Sequence, residues 1–120
     1  MPAFRLVLTT LPNADIAGEL ARGMVESGLA ACVNILSPCR SVYRWRGDVQ
    51  EDGEVPLFIK TTAELYPALE TYLRSRHPYE LPEIVALELA DGLPDYLQWL
   101  AQSTSTGSAD NASATPTTRA

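Results

Sequence analysis

The sequence predicts a single α+β domain in which helices cover one face of an antiparallel sheet. Apolar residues alternate along several short segments and recur at helical spacing in others, in the order β-α-β-β-α-β-α. The chain has 120 residues, enough to enclose one hydrophobic core and too few for two. Residues 103–120 carry no large apolar side chain, so we expect a domain over residues 1–102 and a disordered tail over residues 103–120.

The chain begins with a strand and a helix. Residues 3–11 alternate between two faces, which is the periodicity of a strand. The following apolar residues recur at helical spacing between Asn13, a predicted N-cap, and Gly28, a predicted C-terminal stop. Gly18 and Gly23 inside this helix each cost about 1 kcal/mol relative to alanine, so packing must hold the helix together.

A long hairpin follows. Residues 29–39 and 41–46 predict extended chain, a reversal begins at Arg46-Gly47-Asp48, and residues 54–62 predict the partner strand. The chain between residues 29 and 62 is therefore mostly extended, and the hairpin must project beyond the sheet. Because projecting strand edges need a partner, we expect a homo-oligomer.

The second half adds a helix, a loop, a strand and a last helix. Residues 63–76 predict the helix, with Pro67 tolerated only near its first turn. "RHPYELPEI" (76–84) contains two prolines and predicts a stiff loop. A fourth strand follows the loop, and a short helix begins near Pro94. This order predicts the ferredoxin-like split β-α-β sandwich with a long hairpin between the second and third strands and a short C-terminal helix.

Composition and charge exclude several classes of function. The formal net charge is −6, and no basic stripe is available to neutralise phosphates, which argues against a nucleic-acid partner. No segment approaches the roughly 18 apolar residues of a membrane span. The two cysteines, Cys32 and Cys39, form no CxxC pair, and no signal peptide is visible, so we expect free thiols and a cytoplasmic location.

His77, the only histidine, is a candidate metal ligand or acid–base group on the stiff loop beside Glu80 and Glu83. One histidine cannot form a histidine-rich zinc or copper site, so Cys32, Cys39 or a neighbouring chain would have to contribute. The alternative is that the loop is an ordinary turn. A single free cysteine on a strand is more often a small buried hydrophobe than a ligand.

Three further residues stand out on the predicted hairpin. Lys60, the only lysine, alternates onto the strand face of Phe58; it is either partly buried and functional or a lysine at the sheet surface. Tyr43 and Trp45 share a strand face, which fits interface packing or a ligand platform. The sequence contains no nucleophile elbow, Walker loop, GxGxxG or HExxH motif, so we expect neither an enzyme nor an organic cofactor.

Three blocks in the right order resemble the CutA divalent-cation tolerance proteins. They are "GLAACVNIL" (28–36), "SVYRWRGDVQEDGEVPLFIKTT" (41–62) and "HPYELPEIVAL" (77–87), and "DYLQWL" (95–100) matches the closing helix of that family. The resemblance spans about residues 5–101. It implies a ferredoxin-like protomer in a tight homotrimer, with the hairpin strands pairing across protomers.

In that family, shared polar residues gather in clefts between protomers, and the resemblance extends this to the present chain. The cleft candidates are Tyr43, Trp45, Lys60, Tyr79 and Glu80, and the candidate metal ligands are His77 and Cys32. The family link implies copper or another divalent cation. Arg76 and Thr9 stand where some family members carry a histidine and a cysteine, which removes two copper-type ligands.

Two other functions also fit the sequence. One is a signalling module like the PII-like trimers, in which Lys60 and the arginines would hold an anionic small molecule; this rests on fold analogy. The other is an enzyme that uses Lys60 or His77 as a base, for which no orienting partner is identifiable in the sequence.

Overall fold

Five strands and three helices alternate along residues 3–105, the part of the chain that this computed structural model describes. The strands are β1 (Phe4–Leu11), β2 (Cys32–Ile35), β3 (Cys39–Trp45), β4 (Asp48–Thr62) and β5 (Val85–Glu88). The helices are α1 (Ala14–Glu26), α2 (Tyr66–Arg76) and α3 (Pro94–Gln102). The predicted α+β class is confirmed, with one more strand than expected.

The central sheet has the order β2-β4-β1-β5, and all its neighbouring strands are antiparallel. Leu8 of β1 lies opposite Phe58 of β4 on one side and Val85 of β5 on the other. The strand after α2 thus returns beside the first strand of the chain. This arrangement is the ferredoxin-like split β-α-β plan that the order of elements predicted.

The predicted hairpin is present, but its strands divide differently. The predicted second strand is divided into β2 and β3. The hydrogen bonds between β2 and β4 end at Leu36, whose N–H donates to the carbonyl of Pro56 at 3.0 Å. Pro38 has no N–H with which to continue that ladder. β4 begins at Asp48 rather than at Glu54, and its outer half pairs with β3 as a two-stranded ribbon. Most of the ribbon is exposed, so no burial pattern marked its start.

The ribbon reverses at Arg46-Gly47, where both residues have positive φ, 52° and 87°. Two-residue hairpin turns of this kind suit the twist of the strands and favour glycine or asparagine at both positions. Gly47 adopts the conformation freely, whereas Arg46 is held in a region that a long side chain rarely occupies.

Two ends of helices follow the sequence signals closely. The side-chain oxygen of Asn13 accepts a hydrogen bond from the N–H of Ile16 at 2.9 Å, which confirms the predicted N-cap of α1. Gly28 has a positive φ of 79° just beyond that helix. Pro67 lies in the first turn of α2, where a proline is tolerated.

The main hydrophobic core lies between the sheet and the helices α1 and α2. Sheet residues Val7, Leu57 and Ile59 are fully buried there, against Met24 of α1 and Leu73 of α2. A smaller cluster of Phe4, Ala31 and Leu100 fixes α3 at the end of the sheet.

Beyond the Phe4 cluster, the opposite side of the sheet is apolar and partly exposed. We call it the open face, and it carries Leu6, Leu8, Phe58, Val85 and Leu87. Phe58 is 37%, Val85 47% and Leu87 48% exposed.

The chain remains packed against the domain for three residues beyond the predicted boundary at residue 102. Thr104 is buried, and its Oγ1 donates to the carbonyl of Leu100 at 3.1 Å. The N–H of Ser105 donates to the carbonyl of Gly28 at 2.9 Å. Residues 103–105 are therefore part of the fold, and the rest of the predicted tail, residues 106–120, lies outside the described residues.

Candidate functional site

The predicted stiff loop is present, and it begins where α2 ends. The N–H of His77 donates to the carbonyl of Leu73 at 2.8 Å, and His77 itself has left the helical conformation, with ψ of 134°. Pro78 follows, and a residue before proline favours this extended conformation. The loop continues without helix or strand to Ile84.

Both ring nitrogens of His77 make hydrogen bonds within the protein. Nε2 donates to the backbone carbonyl of Thr10 at 2.9 Å, and Nδ1 accepts from the N–H of Tyr79 at 3.2 Å. Since a carbonyl can only accept, the ring is the neutral tautomer with its proton on Nε2. Burial lowers the pKa of His77, and the Thr10 bond and the charge of Glu54 oppose this only in part. His77 therefore fastens the loop to the end of β1 and orients the backbone of Tyr79.

Tyr79 and Thr10 hold a carboxylate in place beside His77. The hydroxyl of Thr10 donates to Oε2 of Glu54 at 3.0 Å, and the phenol of Tyr79 also hydrogen-bonds Glu54. Burial, followed by the bond to Glu54, raises the pKa of Tyr79, so its phenol stays a donor at neutral pH. The rings of Tyr79 and His77 lie with centroids 4.9 Å apart. Loop, β1 and ribbon thus meet at Glu54.

A cleft of about 730 Å³ lies between the loop and the ribbon. On the ribbon side it is lined by Tyr43 and Trp45, and on the loop side by Tyr79, Glu80, Leu81 and Glu83. The phenol of Tyr43 donates to Asp52, which lies diagonally across the ribbon. We refer to this space as the cleft.

Arg46 spans the cleft from the tip of the ribbon to the loop. Its Nη2 lies 2.8 and 3.2 Å from the two carboxylate oxygens of Glu80. Its guanidinium carbon lies 5.1 Å from the centroid of the Trp45 ring, a cation–π arrangement. Both partners of the ion pair are largely exposed, so the pair stabilises the fold by less than about 1 kcal/mol.

The structure brings four of the five predicted cleft residues together and leaves one apart. Tyr43, Trp45, Tyr79 and Glu80 line the cleft, whereas Lys60 lies on the open face opposite Leu6 of β1. The ammonium group of Lys60 contacts the side-chain oxygen of Asn34 and lies 3.9 Å from Sγ of Cys32.

The two predicted metal ligands do not meet within one protomer. Cys32 and Leu6 of β1 both pair with Lys60 of β4, so Cys32 lies at the same height in the sheet as Leu6. His77 contacts Thr10, which lies four residues further along β1. Four residues of strand span about 13 Å. Among residues 3–105, no three His, Cys, Asp or Glu side chains converge as a metal-binding group. The predicted pair therefore does not fit a copper ion within one protomer.

The sequence did not predict the cleft residues Glu54 and Thr10, or Asp52, which accepts a hydrogen bond from the cleft residue Tyr43. Asp52 and Glu54 alternate onto the ribbon face of Tyr43, opposite Ser41 and Cys39. Extending the predicted partner strand back to Asp48 would have placed both carboxylates beside Tyr43. Thr10 had no comparable signal, because only the packing of the loop brings it to His77.

Within residues 3–105, no helix has both the length and the apolar composition that crossing a lipid bilayer requires.

The comparisons with known proteins agree on one family. A sequence profile described as CutA1 divalent ion tolerance protein matches residues 5–103. The chain is 46% identical over 99 residues to the divalent-cation tolerance protein CutA of Thermus thermophilus, covering 82% of this chain and 96% of the relative. It is 48% identical over 95 residues to protein CutA of Mus musculus, covering 79% of this chain but only 54% of that longer relative.

Solved structures give the same result for the fold. The divalent cation tolerance protein from Thermus thermophilus superposes with a TM-score of 0.83 at 45% identity, covering 85% of this chain and 99% of that chain. CutA1 from Oryza sativa superposes with a TM-score of 0.84 at 40% identity, covering 87% and 95%.

Proposed function

Because the chain belongs to the CutA1 divalent ion tolerance family, we propose that it is a divalent-cation tolerance protein whose homotrimer binds metal ions weakly in clefts between protomers. The observation that carries the proposal is the excess of carboxylates at the cleft. Glu54, Glu80 and Glu83 line it, and Arg46 is the one basic side chain among its described lining residues. A surface of this charge attracts cations and repels anions.

The proposed binding is weak because one protomer supplies too few converging ligands. Divalent ions need several donors within about 2.0–2.6 Å, and no such group converges among residues 3–105. A neighbouring protomer must therefore complete the coordination.

The donors also bear on the choice of metal. Carboxylate and hydroxyl oxygens favour ions such as manganese, magnesium and calcium, whereas copper favours imidazole and thiolate. A copper ion on His77 would require one ring nitrogen to give up its hydrogen bond. The proposal therefore does not assume copper, and the titration below compares copper with manganese and magnesium.

Two surfaces support the homotrimer. The open face presents a continuous apolar area that a soluble protomer would leave in water. The ribbon projects from the sheet and gives the molecule extents of 48 × 29 × 27 Å, with an unpaired edge on β3 among the described strands. Covering both in an assembly of identical protomers would bring the cleft near a neighbour.

The alternative of an anion-binding, PII-like signalling module has less support. It assigned Lys60 to the cleft, but Lys60 lies six residues along β4 from Glu54, with its ammonium group beside Asn34 and Cys32. The guanidinium of Arg46 in the cleft is already paired with Glu80.

We also propose a cytoplasmic location. Both Cys32 and Cys39 are free thiols, which is typical of a reducing compartment. Fractionation of cells that express the full chain would test this.

Calorimetric titration of the assembled protein with copper(II), manganese(II) and magnesium tests the metal proposal. We expect saturable binding of at least one ion, weakened about tenfold or more by Glu54→Gln. Glu19→Gln on α1 removes the same charge outside the cleft and should leave the affinity unchanged. His77→Ala separates two roles: a direct ligand affects copper most, whereas a residue that positions Tyr79 and Glu54 weakens all ions alike. No saturable binding of any ion would refute the proposal.

A further inference from the structure

The charges of the cleft are spread along its length. Glu54 lies at the base of the ribbon opposite Cys39, and the pair of Arg46 with Glu80 lies at its tip, beyond Trp45. Cys39 and Trp45 are six steps apart along the seven residues of β3, which separates these backbone positions by roughly 20 Å. The anionic groups are thus arranged for a ligand with separated positive charges.

The surface between those charges is largely apolar and aromatic. Tyr43 and Trp45 form it on the ribbon, and Tyr79 and Leu81 form it on the loop. Such a surface can cover methylene groups and attract a cation over an aromatic ring. The volume of about 730 Å³ lies within the usual range for small-molecule sites, roughly 300–1,000 Å³. A bare metal ion would use little of this space.

The protein already places one alkyl cation in the cleft. The guanidinium of Arg46 lies over the ring of Trp45 and bonds both oxygens of Glu80. The hairpin turn that presents Arg46 here holds it at a positive φ of 52°. Because the pair is exposed to solvent, a ligand cation can compete for Glu80 without first opening a buried site.

From this arrangement we infer that the cleft binds an aliphatic polyamine. One ammonium group pairs with Glu54, another pairs with Glu80 in place of Arg46, and the methylene chain lies along Tyr43, Trp45 and Leu81. The hydroxyls of Thr10 and Tyr79 keep the Glu54 carboxylate in position for its ammonium partner. The inference uses the same cleft as the proposed metal binding but requires neither a metal ion nor a converging set of ligands.

The first test follows Trp45 by fluorescence during a spermidine titration. The chain has two tryptophans, so Trp99→Phe leaves Trp45 as the only one, and calorimetry on the unaltered chain provides an independent measurement. Butane-1,4-diol supplies the carbon chain without charge, and magnesium chloride supplies charge without the chain. We expect a saturable signal with spermidine and no signal with the diol. The affinity for magnesium should be at least about tenfold weaker than the affinity for spermidine.

Three variants locate the site. Glu54→Gln should weaken spermidine binding about tenfold, and its matched control Glu19→Gln should leave it unchanged. Arg46→Gly removes the competing cation and suits the positive φ, so it should tighten binding several-fold, in the direction opposite to a mere loss of structure.

The outcomes separate this inference from the metal proposal. No saturable spermidine signal, equal affinity for magnesium, or equal weakening by Glu19→Gln would overturn the polyamine site. If manganese binds and spermidine does not, the metal proposal stands alone. If spermidine binds and none of the metal ions does, the polyamine site stands and the metal proposal fails.

Discussion

The imidazole Nε2 of His77 donates a hydrogen bond to the backbone carbonyl of Thr10, 2.9 Å away, and so joins the end of α2 to the end of β1. The two residues are 67 positions apart in the chain. On the other side of the ring, Nδ1 accepts from the N–H of Tyr79. One neutral ring therefore sets the position of the loop, and through Tyr79 the position of Glu54 in the cleft.

This bonding predicts a loss of stability in mild acid. Burial lowers the pKa of His77, so between its folded pKa and about 6.5 the unfolded chain binds the proton that the folded chain does not. The contribution is fully present above about pH 6.5 and is lost as the pH falls towards the folded pKa. Urea unfolding of the wild type from pH 8 to pH 5.5 should show this decrease.

The matched variant for that experiment is His77→Gln. Because His77 is the only histidine, the variant should lose the part of the pH dependence that lies near pH 6 and keep the part due to carboxylates. An identical decrease in wild type and variant would show that the imidazole is not its source.

The two glycines within α1 should respond oppositely to alanine. No atom lies within 4 Å of a Cβ added at Gly18, so Gly18→Ala should stabilise the fold by up to about 1 kcal/mol. A Cβ at Gly23 would collide with the hydroxyl of Tyr72, so Gly23→Ala should destabilise it by about 1–3 kcal/mol. Denaturant unfolding compares the two, and Tyr72→Phe should recover part of the Gly23→Ala loss. Equal effects of the two alanines would contradict the close approach of α1 and α2.

Two buried threonines give a second matched pair. Oγ1 of Thr9 is buried without a hydrogen-bond partner among residues 3–105, whereas Oγ1 of Thr61 donates to the carbonyl of Leu29 at 2.6 Å. Replacing an unpartnered hydroxyl with a methyl group should stabilise, so Thr9→Val should gain about 1 kcal/mol. Thr61→Val should lose about 1–3 kcal/mol, because it leaves the Leu29 carbonyl unpaired. Thermal unfolding of both variants at one protein concentration tests the contrast.

The open face should control assembly. Phe58→Arg places a charge in the middle of this apolar surface and should shift the proposed trimer towards monomer by about tenfold or more in sedimentation equilibrium. Its melting temperature should also depend more strongly on protein concentration. The control is Val25→Arg on α1, an exposed apolar position on the helix side. Equal dissociation by both variants would rule out the open face as the specific interface.

Local patterns in the sequence determined the order of elements, the N-cap Asn13, the loop with Pro78 and Pro82, and the projecting hairpin. Each of these depends on residues close in the chain: periodic burial, a missing N–H, or a side chain that bonds a backbone group three positions away. The start of the ribbon could not be predicted in this way, because both of its strands are exposed at most positions and show no burial pattern. Its start at Asp48 was therefore missed.

Only the tertiary structure decided which side chains share a site. The resemblance grouped Lys60 with Tyr43 and Trp45. Lys60 shares their face of the strands but lies six residues along β4 from Glu54, about 20 Å away, beside Cys32. The sequence offered His77 as a ligand, and the packing of the loop against Thr10 uses both ring nitrogens instead. It left Glu54 unmarked, although three elements meet there. Contacts between distant segments depend on how helices and sheet pack, and no local periodicity records that packing.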